Sequence, residues 1–457
     1  MDGLLRIDTG HLVQPGEEGL LQLSPADISI FRKFQDGLQE NRTPITASFL
    51  DEETIADIKS TARKLREKYE NILILGIGGS ALGTKAILDF AKGHYHYLEK
   101  QRPRIFVLDN IDPAPAAQLE RILDFSKTAL IYISKSGSTP ETAANFIYFY
   151  KKYKEAGGDD GDIVIICDEK ENGINRIAAE LGCYLLHFPP RLGGRYSALS
   201  PVGFLPAELA GIDCRDLLEG AAAVQRVVTT AADEENPLLV LGSSLYQYAQ
   251  QGRTTHVLFN YSNLLVEFGL WFMQLWAESL GKKETLTGEQ VGRIGATPFS
   301  CLGATDQHSL LQLFKEGPAD NVHGFVIIDQ VPYDLKIPGA FSQEVEYAYF
   351  EGHTMQEQLH IEQLATEVSL VNAGHPCYRI TLSEHCTPAL GALFYFYEAL
   401  TIYVANLYNV NPYDQPGVDE GKHQAYALLG REDFLSKRED YQRMTEKYGR
   451  ESRVFVI

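Results

Sequence analysis

Basic residues are in short supply: Lys and Arg number 41 against 61 Asp and Glu, a formal charge of −20 over 457 residues. Without a basic stripe, such a chain is repelled by nucleic acid and by anionic membrane surfaces, so neither is expected as a partner. Any anionic ligand must be held by a local pocket against the field of the whole. Cysteine is scarce as well. Cys167, Cys183, Cys214, Cys301, Cys377 and Cys386 are scattered, with no Cys-x-x-Cys pair and no histidine ladder beside them. That argues against a disulfide framework or a metal site and for reduced, mostly buried thiols. The opening Met1-Asp2-Gly3-Leu4-Leu5-Arg6 lacks a basic segment followed by an apolar core, so no signal peptide is expected. Long apolar runs are also missing. The best candidate, residues 389–408, is interrupted by Glu398 and Asn406 and is rich in tyrosine, which suits a buried helix better than a membrane span. A cytoplasmic location is expected.

Hydrophobic types make up 44% and charged types 22%, the balance of a globular chain with room for two or three domains. From residue 71, short apolar runs alternate with amphipathic stretches. Residues 71–75, 104–108, 128–133, 162–167 and 183–187 read as buried strands, with helices over 81–90, 115–125, 139–154 and 173–181 between them. Strand and helix in repeated alternation imply a mostly parallel sheet covered on both faces. A second series follows the helical stretch 214–235, with strands over 237–242, 255–259, 322–328 and 378–382 and helices over 261–279, 307–314, 354–372 and 387–407. The fold class is therefore α/β, two αβα sandwiches with mostly parallel central sheets, an N-terminal arm and a charged C-terminal helical tail. Pro237-Leu-Leu-Val-Leu-Gly-Ser-Ser faintly echoes Asn71-Ile-Leu-Ile-Leu-Gly-Ile-Gly, a hint of duplication.

Two loops stand out. Gly76-Ile77-Gly78-Gly79-Ser80-Ala81-Leu82-Gly83 follows a strand and opens a helix, where glycines admit close backbone approach and free amides attract anions. Its glycines miss the Gly-x-Gly-x-x-Gly spacing of dinucleotide sites. Asp109 nevertheless stands where an acid meets a ribose, which keeps a nicotinamide-dependent oxidoreductase as an alternative. Ser134-Lys135-Ser136-Gly137-Ser138-Thr139-Pro140-Glu141 again joins strand to helix and offers four hydroxyls and an ammonium. Taken alone, such a loop is an N-cap and a turn. With both loops at the carboxyl edge of one parallel sheet, a pocket for a phosphate monoester is the better reading.

Residues 76–83 together with 134–139 resemble the sugar-isomerase (SIS) domain, whose serine- and threonine-rich loops hold sugar phosphates. Leu192-Gly193-Gly194-Arg195-Tyr196-Ser197 and Asp414-Gln415-Pro416-Gly417-Val418-Asp419-Glu420-Gly421-Lys422 resemble the two signature segments of the glucose-6-phosphate isomerase family. The resemblance implies two SIS domains, 46–230 and 231–430, flanked by an arm (1–45) and a tail (431–457). It also implies reversible isomerisation of glucose 6-phosphate and fructose 6-phosphate through a cis-enediol(ate), a sugar-phosphate substrate, no cofactor, and a homodimer. A non-catalytic phosphosugar sensor would keep the two loops without the acid–base residues. Activity on mannose 6-phosphate turns on how the pocket treats the C2 epimer.

An aldose–ketose isomerase needs a base for a carbon-bound proton, groups that open the ring, and positive charge near the developing oxyanion. Glu278, in Trp276-Ala277-Glu278-Ser279-Leu280-Gly281-Lys282, ends an apolar helix, and burial beside Trp276 would raise its pKa. A solvated glutamate or an ion pair with Lys282 is the plainer alternative. The segment resembles the family's Glu-Ser-x-Gly-Lys motif, which implies that Glu278 is the base; Glu267, on the same helix, is read as supporting. By the same resemblance His308, after Gln307, opens the ring and is supplied across the dimer interface, where residue type alone gives a surface histidine. Lys422, otherwise a solvated lysine, assists ring opening, and Gln415 contacts substrate. Asp419 is one methylene shorter than the family's glutamate and is assigned no role. Arg195, which could equally pair a carboxylate between domains, stabilises the intermediate. Phosphate would rest on Gly79, Ser80, Ser134, Ser136 and Thr139, with Lys135 nearby.

Overall fold

Runs such as Asn71-Ile-Leu-Ile-Leu and Thr128-Ala-Leu-Ile-Tyr-Ile have no polar alternation and so no face to give to water. In the computed structural model, which describes residues 3–12, 23–98, 102–451 and 455, every residue of both runs is buried. Parts of the expected arm (1–2, 13–22) and tail (452–454, 456–457) lie outside the described residues. The chain divides into two compact units, Met1–Pro412 and Tyr413–Ile457.

The first unit holds both large sheets. β1 (Leu5–Asp8) belongs to the second of them. β2 (Asn71–Leu75), β3 (Arg104–Leu108), β4 (Thr128–Ile133), β5 (Val164–Cys167) and β6 (Tyr184–His187) form an all-parallel sheet in the order β3-β2-β4-β5-β6. On one face Leu73, Tyr132 and Ile165 pack with Phe146 and Phe149 of the helix Pro140–Glu155. Farther along come β7 (Thr255–Asn260), the hairpin β8 (Lys282–Glu284) and β9 (Gln290–Ile294), then β10 (Thr297–Leu302), β11 (Asn321–Gln330) and β12 (Cys377–Glu384). The second sheet runs β1-β12-β11-β7-β10, parallel except for β1, which lies antiparallel along β12 with Leu5 opposite Leu382. Arg379 ties β1 down, bonding Asp8 at 3.0 Å and Glu367 at 3.1 Å. The expected arm therefore includes an edge strand of the second sheet.

Three expectations need correction. Residues 237–242 are not a strand but the start of helix α1 (Pro237–Gln250), so the echo of residues 71–78 is one of composition only. Asn236 caps α1 through its side chain, Pro237 takes the first turn, and Leu238, Leu239, Leu241 and Gly242 are all buried. A short run buried on every side carries no period to separate helix from strand. On the side of β7 away from β11 lies β10, which the apolar pattern does not reveal because Pro298 and Ser300 break it; as an edge strand it tolerates the proline. The helix expected over 307–314 is divided into a turn, Thr305–His308, and a short helix, Leu311–Glu316.

Helix α2 (Val266–Leu280) leaves β7 and packs against α3 (Thr387–Leu407) through Phe268, Trp271 and Phe272, which meet Phe394 and Tyr397. α3 is the one helix among the described residues long and apolar enough to span a membrane, and it is almost wholly buried in the protein. Glu398 sits in its interior, fully buried, and neither carboxyl oxygen has a hydrogen-bond partner among the described residues. Burial holds its pKa well above the ordinary range, so the folded protein keeps a proton that the unfolded chain releases. Its contribution is complete below the unfolded value near 4.3 and is lost as pH rises toward the folded value, by ~1.4 kcal/mol per pH unit in that window. Denaturant unfolding of the wild type across that window should show this slope, and Glu398→Gln should flatten it. Identical slopes in the two proteins would refute the assignment.

Candidate active site

The site starts from a contact that only glycine allows. The turn after β2, Gly78–Ser80, packs on the turn Gly194–Tyr196, and a Cβ on Gly79 would lie 2.2 Å from the Gly194 carbonyl carbon and 2.7 Å from the Arg195 nitrogen. Gly78 holds φ at +57°, which places it against the Gln274 amide. The Ser197 hydroxyl lies 3.0 Å from the Gly79 carbonyl and 2.6 Å from that of Gly194, locking the two turns together.

The serine loop follows β4. Thr139 is the N-cap residue of the helix Pro140–Glu155, yet its hydroxyl makes no capping bond and instead lies 2.9 Å from Ser134 Oγ and 3.4 Å from Ser136 Oγ. The plain N-cap reading of this loop therefore does not account for its hydroxyls. Ser134 and Ser80 are buried, whereas Ser136 is exposed at the rim. Lys135 Nζ donates to the Leu192 carbonyl at 2.8 Å, joining this loop to the segment that leads to Arg195. Burial, reinforced by the charges of Lys170 and Arg195, pushes the Lys135 pKa down, while Asp168 pulls the other way.

Arg195 is buried and held on three sides. Nε donates to Ser279 Oγ at 2.9 Å, Nη1 to Glu278 Oε2 at 2.7 Å and Nη2 to the Pro412 carbonyl at 2.7 Å. Its side chain is 2% exposed, against 31% for Glu278, so the carboxylate faces the solvent that a ligand would displace. Gln274 Nε2 donates to the other carboxylate oxygen at 3.1 Å. The apolar setting expected for Glu278 is absent. Two positions separate Trp276 from Glu278 on the helix, so its ring turns into the core against His256, 4.7 Å between centroids. Lys282 Nζ donates to the Glu278 main-chain carbonyl at 2.6 Å, closing the end of the helix.

Sequence reasoning assigned no part to Gln274, Ser279 or Tyr196. The first was detectable, since positions i and i+4 of a helix share a face. The others touch Arg195 only through tertiary packing. Glu267 pairs with Lys85 at 3.1 Å, and Lys85 also reaches Asp109 at 3.1 Å, so the acid weighed for a ribose is already engaged.

His308 is not brought to Glu278 within one chain. It is exposed on the turn beyond the carboxyl end of β10. α2 passes Ser300 at Gly269 and reaches Gly295, ahead of β10, only at Leu280. About 16 Å of helix axis separates those two points, and Glu278 lies at the far one. Gln307, beside His308, is spent on the Tyr261 hydroxyl at 2.6 Å. Gln415 and Lys422 belong to the second unit, where both are exposed; Lys422 stands in the first turn of the helix Asp419–Leu428, as expected.

Residues 53–447 match the phosphoglucose isomerase family. The chain is 37% identical over 398 residues to the glucose-6-phosphate isomerase of Carboxydothermus hydrogenoformans, covering 86% of each protein. It is 39% identical over 399 residues to that of Rubrobacter xylanophilus, covering 85% of this chain and 88% of the relative. Among solved structures, a hypothetical protein from Thermus thermophilus superposes with a TM-score of 0.81 at 33% identity, over 93% of this chain and 100% of that one. A glucose-6-phosphate isomerase from Chlamydia trachomatis shares the fold, with a TM-score of 0.74 at 24% identity over 87% of this chain and 76% of that one.

Proposed function

This chain belongs to the phosphoglucose isomerase family and interconverts glucose 6-phosphate and fructose 6-phosphate, and we propose that it does so through a cis-enediolate, with Glu278 as the base. The observation that carries the mechanism is the 2.7 Å contact of Arg195 Nη1 with Glu278 Oε2, on a segment that packs against the Gly79 turn and is tied by Lys135 to the loop of Ser134, Ser136 and Thr139. The phosphate rests on the Gly79 backbone and the hydroxyls of Ser80, Ser134, Ser136 and Thr139, with Lys135 close by. Neutral donors suit it, because they satisfy acceptor oxygens without importing charge. His308 and Lys422 open the ring, and Gln415 contacts the open chain.

Glu278 then removes the proton from C2 of the aldose. The C–H electron pair becomes the C1=C2 bond, the carbonyl π pair moves onto oxygen, and Arg195 holds that oxygen's charge. A proton passes from O2 to O1, the O2 electron pair forms the C2 carbonyl, and the C1=C2 pair takes the proton back from Glu278 at C1, which gives the ketose. The carbon acid loses its proton next to a guanidinium held by fixed partners, so the charge is met by a donor already in place.

We further read the protein as a cytoplasmic homodimer of two SIS domains per chain, with His308 completing the neighbour's site. Its exposure, and its distance from Glu278 within one chain, support that reading. Glu278→Gln and His308→Ala should each be inactive alone. Mixed, unfolded and refolded together, they should recover roughly a quarter of wild-type activity, because each mixed dimer has one intact site. NADPH formation coupled to glucose-6-phosphate dehydrogenase, with EDTA present, reads the result. No recovery from a mixture shown to contain mixed dimers would contradict the shared site.

A further inference from the structure

Besides the Glu278 carboxylate and the Pro412 carbonyl, a pair of neutral hydroxyls braces the guanidinium of Arg195 at Nε. Ser279 Oγ accepts the Nε proton at 2.9 Å, and the Tyr196 hydroxyl lies 2.9 Å from the same oxygen. Ser279 and Tyr196 are fully buried, so no solvent is at hand to replace a lost partner. Whichever hydroxyl donates to the other, the serine oxygen cannot turn away from Nε without breaking the Tyr196 bond. Tyr196 is also the chain neighbour of Arg195, and its ring centroid lies 5.8 Å from the guanidinium carbon, so the brace holds the cation from the side and through the backbone. Burial pushes the phenol up to about 12, which keeps it a neutral hydroxyl where the enzyme works.

Glu278 and Ser279 are consecutive, one bonded to Nη1 and the other to Nε of one planar group. A planar fork held at both edges cannot rotate about its long axis. The Nη1 edge is thereby fixed against the Glu278 carboxylate, the proposed base.

We infer that Ser279 and Tyr196 are positioning residues for the isomerisation, acting through Arg195 to fix its guanidinium for the enediolate rather than for the bound sugar. The inference rests on the role proposed above for Arg195. It separates two kinds of loss. Substrate is gripped by its phosphate, at loops neither hydroxyl touches, so the brace should leave ground-state binding alone. Charge on the enediolate appears only in the transition state, and a guanidinium free to rock meets it badly.

The test is steady-state kinetics of Tyr196→Phe, Ser279→Ala, Ser279→Thr and Arg195→Lys, with circular dichroism to confirm folding and rates expressed per folded protein. Tyr196→Phe removes one oxygen and nothing else. It and Ser279→Ala should each lower kcat by about tenfold to a hundredfold with KM for fructose 6-phosphate within about threefold. The double variant should cost little more than either alone, since both break one link. Ser279→Thr, which keeps a hydroxyl, should recover part of the loss. Wild-type kcat in both single variants, with Arg195→Lys crippled, would overturn the brace alone. A rise in KM at constant kcat would overturn it too. Wild-type kcat in Arg195→Lys would instead remove the role of the arginine on which the inference depends.

Discussion

Glu278→Gln is expected to fold as the wild type does, to bind fructose 6-phosphate normally, and to lose about a thousandfold or more in kcat. Glutamine has the shape of the glutamate it replaces. Its amide oxygen can still accept from Arg195 Nη1, now at 2.7 Å from Oε2, and the contact with Gln274 can be kept by turning one amide. What glutamine cannot do is take a proton from carbon. The loss should therefore fall on kcat and on exchange of the C2 hydrogen of glucose 6-phosphate with deuterated water, followed by NMR, with thermal stability within about a degree of wild type. Retained turnover and exchange in the folded variant would remove Glu278 from the mechanism.

Arg195→Lys should fail differently. A lysine keeps the charge but can satisfy only part of what the guanidinium holds, among Ser279 Oγ, the Glu278 carboxylate and the Pro412 carbonyl. The buried acceptors left behind cost about 1–3 kcal/mol of stability, and the loss of a fixed donor at the oxyanion costs about 10²–10³ in kcat. Urea unfolding and the coupled assay on the same preparation check both. The two variants thus have distinct signatures, activity lost at constant stability for Glu278→Gln and both lost together for Arg195→Lys. A stable, active Arg195→Lys would mean that charge alone suffices at this position.

Sequence patterns disclosed the first sheet almost to the residue, because strands buried on both faces are written as unbroken apolar runs and the helices between them keep a clear period. The same logic misread residues 237–242, where burial on all sides erases the period, and passed over β10, whose proline an edge position permits. The site divides along a similar line. Glycine spacing and hydroxyl clusters are local, so both loops and Arg195 were legible as candidates. The partner of Glu278 was not. Composition around Trp276 suggested an apolar setting, but a side chain two positions away points elsewhere, and the group that matters stands 83 residues earlier in the chain. Ser279 and Tyr196 were in plain view within recognised motifs, yet their relation to Arg195 exists only once the two segments are packed together.

The antiparallel pairing of β1 with β12 bears on the order of assembly. Leu5 leaves a ribosome long before Leu382, the residue it faces. Until β12 has been made, β1 has no strand to join, and it must wait through synthesis of every other strand in both sheets. Local pairings in the first sheet can form as soon as residue 187 is out, whereas the second sheet is sealed at its edge only by closing a loop that spans most of the chain. The β1 edge of the second sheet is thus expected to close after the first sheet has paired, with Arg379 bonded to both Asp8 and Glu367 beside it.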